Sequence, residues 1–347
     1  MKILRFIFFP IAFIYWVITS VRNRFYEKGI MKSSKFGVPV INVGNLNMGG
    51  TGKTPHVEYL IRLLQDNHKV ATLSRGFGRK QRGFIIADEN STAEQIGDEP
   101  LQYYRKFGDR VIVSVEADRV LGAMDLFREH EDIEVLLLDD AFQHRKIFAG
   151  VNILLTDYSD PYYKDFILPV GNLRESRSGK KRADIIIVTK CPQDLTEEDK
   201  TRMKLRIKPE NHQKIFFSKI RYGDVVDFKG NQLSLDGKKV VVVTGIANPT
   251  PLIEKISANT EIIQHFKFGD HHKFKATELK EIHNLFNKFA HENSVIVTTE
   301  KDAMRLMSPE LMECIKDYPW CYQRIEVKID EEDAFNKLIL NYVEENN

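Results

Sequence analysis

An α/β fold organised on a parallel sheet is predicted by three observations. A glycine-rich loop, Gly49-Gly-Thr-Gly-Lys-Thr54, separates the apolar run Val38–Val43 from the helical pattern Pro55–Leu64. A second apolar run, Glu134-Val-Leu-Leu-Leu-Asp139-Asp140, ends in two aspartates. Further apolar runs then alternate with helical stretches, as in a βαβ series. Together these describe a P-loop NTPase-type parallel sheet core, an apolar helix before it and a second, smaller α/β domain after it. The expected divisions are residues 1–35, 36–222 and 223–347.

Bulk properties set the frame. The chain has 347 residues, 42% hydrophobic and 29% charged, enough for two domains and a sizeable core. A net charge of +2 indicates no polyanionic partner, and no nucleic acid is expected. Cys191, Cys314 and Cys321 have no metal-binding spacing and are too few for a disulfide framework, which points to a reducing cytoplasmic setting.

The first element is Ile3–Val21, apolar and aromatic but interrupted by Arg5 and Pro10, and followed by Arg22, Arg24, Lys28, Lys32 and Lys35. No small-residue cleavage site follows, which disfavours a signal peptide. About 20 apolar residues can span a bilayer. Arg5, Pro10 and the aromatic content fit an interfacial helix better, with the basic cluster against anionic headgroups. The alternative is an unusually apolar helix packed on the protein's own core.

The second element is the loop. Glycines let the backbone aim several N–H groups at one anion, and the helix N-terminus adds partial positive charge. Asn47 to Thr54 (Asn47, Met48, Gly49, Gly50, Thr51, Gly52, Lys53, Thr54) is the expected nucleotide-binding segment. In such loops the lysine reaches the β/γ-phosphates and the Thr hydroxyl ligates Mg²⁺. Asn47 stands where the usual consensus has its first glycine, and asparagine tolerates left-handed backbone. Pro55 is acceptable in the first helical turn.

Lys69–Ser74 reads as a buried strand ending in the basic turn Arg75-Gly-Phe-Gly-Arg79, whose arginines suit phosphate or sugar contacts or a solvated turn equally. Gly97-Asp98-Glu99-Pro100 opens a helix with acids where its dipole favours them. Val111–Val115 is another strand. The 134–139 run delivers Asp139 to the edge of a central strand, where P-loop enzymes hold Mg²⁺. Asn152–Thr156 and Asp184–Lys190 add strands, separated by a turn-rich loop carrying Arg174. Beyond Ile220 the polar stretch Tyr222–Lys239 marks a domain end. Strands at Lys239–Gly245 and Ser294–Thr298 then flank the loop Phe268-Gly-Asp-His-His-Lys-Phe274.

The order of these landmarks resembles the tetraacyldisaccharide 4′-kinase family over nearly the whole chain. The resemblance rests on the apolar N-terminus, Val43-Gly-Asn-Leu, Gly49-Gly-Thr-Gly-Lys-Thr-Pro55, Ser74-Arg-Gly-Phe-Gly-Arg79 and Gly97-Asp-Glu-Pro100. It continues through Leu138-Asp-Asp-Ala-Phe-Gln-His144, Pro169-Val-Gly-Asn-Leu-Arg-Glu175, Asp270-His-His272 and Thr299-Glu-Lys-Asp302. Ala141 departs from the glycine common in the family. The resemblance implies ATP- and Mg²⁺-dependent phosphorylation of the 4′-hydroxyl of an acylated glucosamine disaccharide 1-phosphate, giving lipid IVA in lipid A biosynthesis. It implies work at the membrane surface, on the cytoplasmic face of the inner membrane, and an active site in a cleft between the two domains. By the same resemblance Asp98 and His271 form the catalytic dyad and Lys53 neutralises the transferring phosphoryl group. Thr54, Asp139, Asp140 and Glu99 become candidates for the metal, and Arg174, Arg75 and Arg79 for the lipid headgroup. Because Asp98 and His271 fall in different domains, domain closure is expected to assemble the site.

Two other readings share the loop. A GTP-dependent switch expects [NT]-K-x-D after a late strand, but Thr189-Lys190-Cys191-Pro192 has proline in place of the aspartate. A non-enzymatic nucleotide-binding module predicts that loss of Asp98 or His271 has no effect.

Overall fold

The structure, a computed structural model, describes residues 3–289 and 293–347. Its strands are β1 Val40–Asn45, β2 Val70–Ser74, β3 Ile85–Ile86, β4 Val111–Val115, β5 Val135–Asp139, β6 Val151–Asp157 and β7 Ile185–Thr189. They continue as β8 Lys214–Asp227, β9 Gln232–Leu233, β10 Lys239–Thr244, β11 Glu261–Lys267, β12 Ser294–Thr299 and β13 Trp320–Ile329. All belong to one sheet in the order β11-β10-β12-β13-β8-β7-β6-β1-β5-β2-β4-β3, with β9 beside β8.

Burial explains the parallel half. β1, β2, β4, β5 and β7 are buried at every position, as strands covered by helices on both faces must be. β1 lies between β5 and β6, and Val43 aligns with Asp139. The glycine-rich loop and the strand-end aspartates therefore leave the same edge of adjacent strands. The chain moves from β5 to β6 across β1, and crevices at such switch points receive ligands.

β8 is the joint. Lys214–Phe217 pair in parallel with β7, while Ser218–Asp227 pair antiparallel with β13. The boundary expected at 222/223 falls inside this strand, so one hydrogen-bonded ladder runs through both halves. The last helix, Glu332–Asn346, also crosses the expected division. Phe335, Ile339 and Val343 join the core formed by Ile41, Val57 and Leu137. Tyr342 Oη accepts from Val40 N (3.1 Å) and donates to Val40 O (3.3 Å). Gly150 makes this approach possible, because a Cβ there would lie 2.2 Å from the Tyr342 hydroxyl.

The N-terminal helix, Phe9–Glu27, buries only Ala12. Phe9, Ile11, Phe13, Ile14 and Ile18 are all more than half exposed, so the alternative of a core-packed helix does not hold. The segment Arg5–Glu27 is long and apolar enough to cross a membrane. Polar side chains tie it down: Tyr15 Oη donates to Arg174 O (2.8 Å) and Asn23 Nδ2 to Glu175 Oε2 (2.6 Å).

The second half carries a titratable core group. His283 is stacked on Tyr318 with ring centroids 3.6 Å apart, and its Nε2 accepts from Trp320 Nε1 (2.9 Å). Burial pushes its pKa down to about 4. A histidine depressed in the folded state stabilises fully above its unfolded value, about 6.5, and loses that contribution as pH falls toward 4. Wild type is therefore expected to melt above His283→Leu at pH 8, with the gap narrowing by pH 5. A gap independent of pH in thermal melts would refute this.

Candidate active site

The phosphate loop is shaped by side chains that hold its carbonyls. Asn45 Nδ2 donates to Gly49 O (3.3 Å), Lys190 Nζ to Gly50 O, Thr189 Oγ1 to Thr51 O (2.8 Å) and His56 Nδ1 to Gly52 O (2.7 Å). With these carbonyls engaged, the N–H groups of Gly50, Gly52 and Lys53 have no acceptor among the described residues. Gly49 and Gly52 take positive φ of 128° and 86°, which requires glycine. Asn47 is not left-handed. It is buried, donates to Asp165 Oδ2 (3.2 Å) and bridges to Leu173, so it fastens the loop to the 165–175 segment. Met48 is exposed, and its N–H donates to Asn172 O (2.7 Å). The Thr189-Lys190 pair thus supports the loop rather than forming a guanine-reading motif.

Helix Lys53–Leu64 starts at the loop. Lys53 Nζ lies 3.7 Å from Asp140 Oδ2. Asp140 has φ 51°, and Arg174 holds it with two bonds, Nη1 to Oδ1 (2.7 Å) and Nη2 to Oδ2 (3.0 Å). Burial opposes its charge, but Lys53 and Arg174 prevail and keep its pKa below the usual carboxylate value. Asp139 has no such partner. Burial first, then the charges of Asp140 and Glu99, push it up to about 7. Tyr103 Oη donates to its Oδ2 (3.1 Å), while its buried Oδ1 has no hydrogen bond. An unsatisfied buried carboxylate oxygen at a strand end, beside the strand that leads into the phosphate loop, suits Mg²⁺. That ion keeps waters and takes only one or two protein carboxylates beside its phosphates. Consistently, no group of three acidic, histidine or cysteine side chains is gathered as a ready-made metal cage among the described residues.

Asp98 opens helix Asp98–Phe107. His271 Nδ1 lies 3.4 Å from Asp98 Oδ2, so the structure brings the two together. His271 Nε2 is 3.2 Å from Lys301 Nζ, which must donate, leaving Nδ1–H for the carboxylate. Phe77 packs edge-on to the His271 ring at 5.4 Å. Phe77 sits in the Arg75–Arg79 turn, whose backbone at Gly76 meets Gly97 so closely that a Cβ on Gly97 would lie 3.2 Å from it. Burial opposes ionisation of Asp98, but His271 and Arg305 outweigh it and hold its pKa below the usual carboxylate value.

The remaining candidates differ in their surroundings. Glu99 pairs with Lys301 (2.8 Å). Arg75 is exposed and forms no ion pair among the described residues. Arg79 is partly buried, with one guanidinium nitrogen unpaired. Arg174 faces Asp140 rather than open solvent.

Sequence reasoning missed three cations. Lys106 joins Glu58 (2.7 Å) to Glu300 (3.1 Å), Arg305 Nε donates to Asp98 Oδ2 (2.7 Å), and Arg119 is buried beside the aspartate pair. Burial pushes Arg119 down to about 10 even though Asp139 and Asp140 favour its charge. None of the three stands in a local motif, and their partners are distant in sequence, so one sequence carries no signal for them.

The family described as tetraacyldisaccharide-1-P 4′-kinase, LpxK, matches residues 4–344. The chain belongs to the LpxK family. It is 45% identical to the tetraacyldisaccharide 4′-kinase of Flavobacterium johnsoniae, with 100% of this chain and 99% of that one aligned. Its identity to the protein of the same description from Bacteroides thetaiotaomicron is 44%, over 97% of this chain and 93% of the other. Its fold is similar to LpxK from Aquifex aeolicus, solved in complex with ATP. The TM-score is 0.76 at 29% identity, covering 98% of this chain and 99% of that one. The LpxK family thus accounts for the whole chain, apolar helix and second half included.

Proposed function

We propose that the chain transfers the γ-phosphoryl group of ATP to the 4′-hydroxyl of a tetraacylated glucosamine disaccharide 1-phosphate, giving lipid IVA. The observation that carries the reading is the helix Asp98–Phe107. It bears the candidate base at its start, holds Asp139 through Tyr103, and reaches the phosphate-loop helix through Gln102 and Lys106, which both donate to Glu58 (2.7 Å each). One rigid element therefore sets the base relative to the loop and the strand-end carboxylate.

In the proposed step Asp98 Oδ1 accepts the proton of the 4′-hydroxyl. The hydroxyl oxygen bonds to the γ-phosphorus, and the β–γ bridging bond breaks with its electron pair leaving on ADP. Asp98 Oδ2 is held by Arg305 and His271, and no hydrogen bond engages Oδ1 among the described residues. Lys53 and the free loop N–H groups receive the phosphate charge, where alignment and neutralisation do most of the work. Thr54 and Asp139 would hold Mg²⁺, which supplies charge neutralisation between the phosphates; Glu99 and Asp140 lie behind, each held by a cation. Arg174 orients Asp140. Arg75 and Arg79 remain candidates for the headgroup. The expected closure of 36–222 on 223–347 is redrawn by the fold: the half built on β1–β7 with the last helix and the half built on β10–β13 would close on each other to seat the acceptor.

The protein works at the cytoplasmic face of the inner membrane through its exposed N-terminal helix. Burying a Phe or Ile side chain contributes about 1.5–3 kcal/mol. Replacing two, Phe13→Glu with Ile14→Glu, is expected to weaken cosedimentation with anionic vesicles at least about 100-fold. Unchanged cosedimentation would remove the helix from the membrane contact.

The decisive assay follows ATP consumption in detergent micelles with and without the tetraacylated disaccharide 1-phosphate, with mass spectrometry of the lipid. An ATP-dependent gain of one phosphate on the lipid is expected. Turnover that ignores the lipid, with the lipid mass unchanged, would favour a switch-type NTPase instead.

A further inference from the structure

We infer that Arg305 is the positioning residue for the base: from the second half of the chain, it clamps Asp98 so that Oδ1 is the oxygen left to the acceptor. Arg305 lies in helix Glu300–Leu306, directly after β12. It is 8% exposed. Its Nη1 donates to Asp302 Oδ1 (2.8 Å) and to Gly245 O (3.1 Å). Asp302 is fixed in turn, since Oδ2 accepts from Gly245 N (2.9 Å) and from Thr299 Oγ1 (2.7 Å). The guanidinium is thereby bolted to the strand ends of β10 and β12. Its remaining edge reaches across the cleft to the other half, where Nε donates to Asp98 Oδ2 at 2.7 Å.

Geometry ranks this contact above the one made by histidine. His271 Nδ1 approaches the same oxygen, but at 3.4 Å and from a ring that is a third exposed. Arg305 offers Asp98 a single donor, but from a guanidinium whose Nη1 is fixed by Asp302 and Gly245, so the Nε–H arrives from a set position, whereas the partly exposed imidazole has no such anchor on Nδ1. Both contacts fall on Oδ2. The carboxylate is therefore fixed from one side, with no donor on Oδ1 among the described residues.

A purely structural role would pair the whole guanidinium. Here Nη2 is buried without a hydrogen bond, and an unpaired buried donor is destabilising. Two further pairs lie along the same helix contact, Glu99 with Lys301 and Lys106 with Glu300. Those pairs can hold the helices together, while of the cations along this contact it is Arg305 that bonds to the base. Because the clamp and the base belong to opposite halves, the base is aimed only while the two halves are in contact.

This inference rests on Asp98 as the proton acceptor, and the experiment separates the two ideas. Arg305→Met, Arg305→Lys and Asp98→Asn are compared singly, and Arg305→Met is combined with Asp98→Asn. kcat and KM are measured for ATP and for the lipid, with ATP binding and thermal melts as folding controls. Misplacing a reacting group by about 1 Å costs on the order of 100-fold. Arg305→Met is expected to lower kcat by about that factor, with both KM values within about threefold of wild type. Arg305→Lys is expected to recover part of the loss, since it keeps the charge without the fork. In the Asp98→Asn background Arg305→Met should change kcat no further, because the group it positions is gone.

If Asp98→Asn lowers kcat while Arg305→Met folds and keeps it, the clamp is wrong and the base stands. Independent, multiplying losses in the double variant would also overturn the clamp. If Asp98→Asn retains kcat, the base assignment itself fails. If Arg305→Met does not fold, Arg305→Lys decides: a kcat loss at unchanged melting temperature supports the clamp, and unaltered kcat refutes it.

Discussion

Lys53→Ala is expected to lower kcat/KM for lipid phosphorylation by at least about 10³-fold, the upper range for losing one preorganised charge partner in a transition state. Its ammonium is the cation in the phosphate loop and lies 3.7 Å from Asp140. Removing it does more than delete an attraction for the β/γ-phosphates. Asp139 is already pushed up to about 7 by burial and neighbouring carboxylates, with Lys53 opposing the shift. Without Lys53 an arriving nucleotide would face two strand-end aspartates with only Arg174 and buried Arg119 to offset them. The lysine's ammonium is paired only with Asp140 among the described residues, and Asp140 keeps Arg174, so melting temperature should move little. Retention of a tenth of wild-type activity, read by mass spectrometry of the lipid, would show that the loop does not hold the transferred phosphate.

Asp98→Asn and His271→Ala should each reduce kcat, and unequally. A positioned general base contributes about 10²–10⁴-fold, and the amide that replaces the Asp98 carboxylate cannot take a proton. The larger loss is expected there, with ATP binding intact. His271 touches Asp98 from 3.4 Å, while Arg305 holds the same oxygen at 2.7 Å. His271→Ala should therefore lose roughly 10-fold to 100-fold, at or below the bottom of that range. Steady-state kinetics at saturating ATP and lipid measure both. Equal losses would mean that His271 handles the proton itself. Wild-type kcat in both variants would show that neither residue handles the proton.

What the sequence revealed follows from where hydrogen bonds and burial leave local traces. Runs such as Val135–Asp139 and Ile185–Thr189 are apolar throughout because both sheet faces are covered, and they were readable to within a residue or two. β8, β11 and β13 were not seen as strands. None is buried throughout: β11 has no fully buried position, β13 is buried only at its start and near its end, and in β8 Lys219, Arg221 and Asp224 break the apolar run. The polar stretch taken for a domain end is in part the strand that joins the halves. At the site, Lys53, Asp139 and Asp140 announce themselves because phosphate chemistry fixes them in short motifs. Arg305 and Lys106 do not, since each is defined by carboxylates on helices far away in the chain. Arg174 was found by family resemblance, but its bond to Asp140 is a property of the folded chain alone.

The final helix gives the protein an order of assembly. Tyr342 closes onto Val40, and Phe335, Ile339 and Val343 complete the core beneath the phosphate loop. Residues near position 40 leave the ribosome long before those near 340, at a pace of about 5–20 residues per second. The nucleotide-binding half, begun first, is thus finished last, after the whole second half has been made. A chain that stops short of residue 332 therefore lacks the side chains that fill the core beneath its phosphate loop.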